Sequence, residues 1–130
     1  MKTLFVSAAA STVMLTALAG AVPDVARSPV PNIRPLLLSA LEAEDGRAHG
    51  LLVGEMADFI TQHFKATSPI YVDVRTAKRY TQPGCARLLL NFWQEGVQLA
   101  NGANPNKKEV EFGLDYCMDG LPPRSKSSQP

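Results

Sequence analysis

The sequence predicts an α+β domain in which two N-terminal helices pack on a three-stranded antiparallel sheet closed by one disulfide. Three observations predict it. Apolar residues recur at helical spacing before Lys65, the period switches to two after Pro69, and the cysteines Cys85 and Cys117 bring two of the alternating runs into register.

Ahead of the domain, Lys2 is followed by an uncharged run through Pro23 that contains Leu4, Phe5, Val6, Val13, Met14, Leu15 and Leu18. A cationic start, an apolar middle and small residues at the end form a secretory signal. Cleavage after Ala19-Gly20-Ala21 assigns residues 1–21 to that signal; Ala17-Leu18-Ala19 is a second frame. Ser7, Ser11, Thr12 and Thr16 dilute the run, which falls short of the roughly 20 apolar residues of a membrane span. Ala21 stands where a lipoprotein signal carries cysteine, so no stable membrane anchor is expected. The destination is periplasmic or secreted.

Residues 22–34 carry Pro23, Pro29 and Pro31 without periodicity and are expected to be an extended lead-in. A single domain spans residues 35–120. Residues 121–130, with little apolar content, are expected to be a flexible tail.

Inside the domain, Leu36, Leu37, Leu38, Ala40 and Leu41 predict a short helix from Pro35 to about Glu44, stopped by Asp45-Gly46. A second helix is predicted from about Arg47 to Lys65, because Leu52, Met56, Phe59, Ile60 and Phe64 recur at three- and four-residue steps. That stripe is expected to face the core. Ile70, Val72 and Val74 then alternate with Tyr71, Asp73 and Arg75, the pattern of a half-buried strand. A turn at Gln82-Pro83-Gly84 precedes a second strand from Cys85 to about Gln94. After a glycine- and asparagine-rich loop, a third runs from Glu109 to Met118.

Two cysteines in an exported chain predict a disulfide, because free thiols are readily oxidised outside the cytosol. Setting Cys85 opposite Cys117 in an antiparallel pair fixes every other facing position. Ala86 meets Tyr116, Leu88 meets Leu114, Leu90 meets Phe112 and Phe92 meets Val110 on one face, while Arg87 meets Asp115 and Asn91 meets Glu111 on the other. A slip of one residue would put one apolar set on the wrong face. The bond is expected to stabilise by about 3 to 4 kcal/mol.

Removing Lys2 with the signal leaves 12 basic against 12 acidic residues, so nothing in the overall charge pushes the domain toward nucleic acid, and none is expected as a partner. His49 and His63 are too far apart for a helical metal pair, and two cysteines alone do not close a zinc site, so neither metal nor cofactor is expected. No nucleophile or phosphate-binding motif is present, and Glu109, Glu111 and Asp115 read as solvated acids of a sheet face. No catalytic residue is assigned.

The candidate contact surface combines Leu89 and Trp93 with the basic cluster Arg75, Lys78 and Arg79. Strand parity sets Trp93 on the face opposite the helix-packed core, either covered by the first helix or offered to a partner. Gly113, opposite Leu89, leaves room there.

The run Gln82-Pro83-Gly84-Cys85-Ala86-Arg87-Leu88, together with Asp115-Tyr116-Cys117-Met118-Asp119-Gly120-Leu121-Pro122-Pro123, resembles small exported accessory proteins encoded in conjugative plasmid and type IV secretion gene clusters of proteobacteria. The resemblance implies a periplasmic accessory of DNA or protein transfer. It carries no catalytic residue. The expectation is a non-enzymatic interaction module with a protein partner; the alternative is a secreted inhibitor or toxin acting on a hydrolase or a competitor cell.

Overall fold

A computed structural model describes residues 25–129, and the expected signal at 1–21 lies outside them. The described residues form a mixed five-stranded sheet and two helices, in the order β1 (Ser28–Val30), α1 (Arg34–Glu42), β2 (Arg47–Leu52), α2 (Glu55–His63), β3 (Ile70–Arg79), β4 (Cys85–Val97) and β5 (Asn106–Cys117). Spatial order follows chain order from β1 to β5. Only the β1–β2 pair is parallel, with α1 as the crossover that a parallel pair requires.

The expected three-stranded sheet with both helices ahead of it is therefore corrected in two places. The stretch expected as a lead-in contains β1, whose Pro29 is tolerated because β1 is an edge strand. The predicted helix over Arg47–Lys65 is two elements. Its first third is β2, paired residue by residue with β3 from Arg47↔Arg75 to Leu52↔Ile70. Gly50 sits where α1 crosses β2. A Cβ there would lie 2.7 Å from a Leu36 methyl and 2.9 Å from the Ser28 carbonyl oxygen. Gly54, at φ 112°, then turns the chain into α2, a conformation that a side chain resists.

Arg34–Glu42 is helical because Pro35 suits a first turn and Asn32 Oδ1 accepts the Arg34 N–H at 3.0 Å. At the other end the Arg79 guanidinium donates to the carbonyls of Leu41 and Ala43. The helix buries Leu36, Leu37, Ala40 and Leu41 against Ala48, Val72, Val74, Ala86, Leu88 and Leu90, and this is the main core.

The β4–β5 register is the one that the cysteines predict, from Cys85↔Cys117 through Phe92↔Val110. The disulfide is present and, with Tyr80, forms a second small buried cluster. The terminal segment runs back to the sheet: Thr81 N–H donates to Ser127 O at 2.7 Å and Gln129 N–H to Arg79 O at 3.0 Å.

Candidate functional site

The two faces of the sheet differ in kind. The helix side carries the core, and neither helix covers the other side, here called the open face. Pairing lines up His49, Asp73, Asn91 and Glu111 in one row across β2 to β5, with Tyr71, Trp93 and Glu109 in the row beside it.

Asp73 is the hub of these rows. One carboxylate oxygen accepts from His49 Nδ1 at 2.7 Å and Arg27 Nη1 at 2.9 Å, and the other from Trp93 Nε1 at 2.8 Å. Burial pushes this carboxyl up, but the hydrogen bonds from His49, Trp93 and Arg27 together hold it below the ordinary 3.8. Trp93 packs on Tyr71 with ring centroids 4.3 Å apart. The Arg27 guanidinium lies over both rings, and Lys107 lies over the indole. Beside this row is a cavity of about 130 Å³ lined by Arg47, His49, Asp73, Val74, Arg75, Leu89, Asn91 and Glu111. The His49–Asp73 pair resembles the orienting half of a catalytic triad, but this lining supplies no hydroxyl or thiol for the imidazole to activate.

Of the residues expected to bind a partner, Leu89, Trp93, Arg75 and Lys78 share the open face, and Arg79 does not. The β3–β4 register slips between Thr76 and Lys78, so Lys78 faces Arg87 and Arg79 faces Ala86 on the helix side. Adjacent strand residues point to opposite faces in any register, and the bulge decides that Lys78, not Arg79, joins Arg75 on the open face. Arg75 reaches Glu111 at 3.5 Å, and the Arg87 side chain fills the space over Gly113. Trp93 is half-buried by its neighbours on the open face and not by a helix. Sequence reasoning missed Arg27 and His49, whose roles depend on β1 and β2.

A second polar group surrounds the disulfide. Asp115 accepts from the buried Tyr80 hydroxyl and from Arg87 at 3.2 Å, and Lys126 lies 3.1 Å from its other oxygen. The Tyr80 hydrogen bond, aided by Lys126 and Arg87, holds the Asp115 carboxyl below 3.8 against its burial. The same bond, with burial, raises the Tyr80 phenol above 10.0. A carboxylate lowered by folding stabilises above its unfolded value and loses that contribution as pH falls through the folded one. Stability is therefore expected to drop below about pH 4. A phenol raised by folding contributes below its unfolded value and loses that contribution as pH climbs above about 10. Denaturant unfolding from pH 2 to 7 should show an acid limb that is shallower in Asp115→Asn, with Asp73 supplying what remains.

The strongest apolar exposure lies on the helix side, beyond the reach of α1. The stripe expected to face the core points largely outward: Met56 is 71% and Phe59 63% exposed, and of α2 only Ala57 is buried. A groove of about 220 Å³ runs between α2 and β5, its lining including Ile60, Phe64, Ile70, Phe92, Trp93, Leu99 and Val110. Phe92 stacks on Phe112 with ring centroids 5.5 Å apart, and Val110, Leu99 and Phe112 remain 62%, 61% and 44% exposed. Lys108 is the one charged residue of the lining.

The chain matches no family model, no curated protein and no solved structure. Among the described residues, no helix is long and apolar enough to cross a membrane, and no group of three or more histidine, cysteine or acidic residues could hold a metal. The Cys85–Cys117 bond points to an oxidising, non-cytoplasmic environment.

Proposed function

We propose that this chain is an exported, non-enzymatic interaction module that binds a protein partner through the groove between α2 and β5. The observation that carries the reading is the apolar groove lining of Ile60, Phe64, Phe92, Leu99 and Val110, continued by Phe112 stacked on Phe92, which α1 leaves uncovered. Exposed apolar patches rimmed by polar residues mark contact sites, and aromatic residues dominate such contacts. The open face supports this assignment by contrast. Its aromatic pair is already engaged by Arg27 and Lys107, and Asp73 and Asp115 are each met by three donors. A role as periplasmic accessory of conjugation or type IV secretion rests on the resemblance around the two cysteines alone.

The test compares three oxidised proteins as bait against extracts of the exported fraction: wild type, Val110→Ser/Phe112→Ser and Leu89→Ala, which lies on the open face and outside the groove lining. Loss of a specific partner in the groove variant, with Leu89→Ala retaining it and all three folded, supports the groove. Equal capture by all three rejects it. Loss only in Leu89→Ala would move the contact to the open face.

A further inference from the structure

The groove ends on an unpaired strand edge. We propose that the outer edge of β5 takes an extended segment of the partner, one in which basic and apolar residues alternate; this deepens the interaction-module reading and rests on it.

The hydrogen-bonding phase of β5 fixes which backbone groups are free. Met118 N–H donates to Gly84 O at 2.9 Å, which flanks Cys85↔Cys117 and makes it a non-hydrogen-bonded pair. Counting back in steps of two through an unbroken register, Tyr116, Leu114, Phe112 and Val110 turn their amides and carbonyls toward β4. Gly113, Glu111 and Glu109 turn theirs outward. β5 is the last strand of the sheet, and no backbone hydrogen bond among the described residues reaches the outer side of these three. An edge of this length is a template for an added strand.

The side chains specify what is added. On the helix side the new strand lies beside Val110 and Phe112 and extends the groove, so its residues there are apolar. On the open face it lies beside Glu109 and Glu111, both well exposed. Each engages only one carboxylate oxygen: Glu109 Oε1 accepts from Asn91 Nδ2 at 2.8 Å and lies 3.9 Å from Lys107 Nζ, and Glu111 Oε1 lies 3.5 Å from Arg75 Nη2, which leaves the second oxygen of each open among the described residues. Lysine or arginine opposite each glutamate satisfies them, as facing opposite charges do across strands.

The same charges disfavour a second copy of this chain. Antiparallel self-pairing that keeps each face on its own side can centre on any residue from Glu109 to Gly113. Centred on Glu109 or Glu111, that residue meets itself. Centred on Val110, Glu109 meets Glu111; on Phe112, Glu109 meets Asp115; on Gly113, Glu111 meets Asp115. Each of these five registers opposes two acids, which disfavours self-pairing through the middle of β5 and favours a cationic strand there.

The probes are labelled, end-blocked octapeptides titrated into the oxidised protein by fluorescence anisotropy: four Val-Lys repeats, four valines followed by four lysines, and four Val-Glu repeats. The alternating Val-Lys peptide should bind at least tenfold more tightly than the other two. Glu111→Pro, which removes one outward N–H without touching the β4 ladder, should weaken it by about tenfold. The double variant E109K/E111K keeps every backbone donor and should reverse the preference toward Val-Glu. Equal binding of alternating and block peptides would overturn the proposal, as would an unchanged preference in the double variant. A concentration-dependent dimer abolished by Glu111→Pro would give the edge to a second copy instead. If Val110→Ser/Phe112→Ser loses the native partner while E109K/E111K keeps it, the module reading stands and the edge assignment falls.

Discussion

Replacing both cysteines, Cys85→Ala/Cys117→Ala, is expected to cost about 3 to 4 kcal/mol of unfolding free energy, which for a domain of this size lowers Tm by roughly 15 to 25 °C. The bond links residues 32 apart in sequence, and its principal effect is to restrict the unfolded chain. The location concentrates the consequence. β5 pairs with β4 alone, and from Asn106 to Gly113 all its residues are exposed, so packing contributes little to holding it. The ladder to β4 and the disulfide at its far end do most of that work. Unfolding in urea, with and without reductant, measures the global loss. Hydrogen exchange should show the amides of the β4–β5 ladder losing protection first, while those between β2 and β3 hold. Coincident urea midpoints for the oxidised and reduced protein would contradict this account.

The β4–β5 pairing was legible in the sequence because two independent constraints agree on it. The cysteines choose a register, and the parity of Leu88, Leu90, Phe112 and Leu114 accepts it. Neither constraint alone would have sufficed. β2 had no such redundancy: Ala48, Leu51 and Leu52 are compatible with either period, and the apolar spacing from Leu52 through Phe64 favoured one long helix. What decides for a strand is tertiary, the six-residue pairing with β3 and the passage of Leu36 over Gly50. Assigning Met56 and Phe59 to the core followed from the rule that apolar stripes face inward, and their exposure of 71% and 63% departs from it.

The candidate site was legible in the same uneven way. Parity placed Leu89 and Trp93 on the open face correctly. The basic cluster was grouped by proximity in sequence, and strict alternation would have misplaced both Lys78 and Arg79, because a single unpaired residue reverses the faces beyond Thr76. The His49–Asp73 contact requires β2 to be known as a strand, and the hold of Arg27 on Asp73 requires the proline-bearing segment to fold back as β1. Both lie outside what local pattern can report, since each is a contact between segments whose order in space the sequence does not state.

Leu88→Ala is expected to cost about 3 kcal/mol, within the range of roughly 2 to 5 for a leucine truncated in a core. Leu88 is fully buried in the first half of β4, between Thr76 on β3 and Leu114 on β5, in the cluster that α1 closes. The flanking strands hold its neighbours on two sides and α1 closes over them, so the vacated space has little means of collapsing. Leu89→Ala, one residue along, removes the same atoms from the half-buried open face and should cost about 1 kcal/mol. Urea unfolding of the pair reads the difference directly, and similar costs would mean that the two faces are not core and surface as described. A third member extends the comparison to function. Phe112 lies on the same face as Leu88 but outside the cover of α1, so Phe112→Ala should leave stability within about 1 kcal/mol of wild type while weakening the partner contact. Leu88→Ala should do the reverse, because the covered half of that sheet face supports the fold and the uncovered half is free to bind.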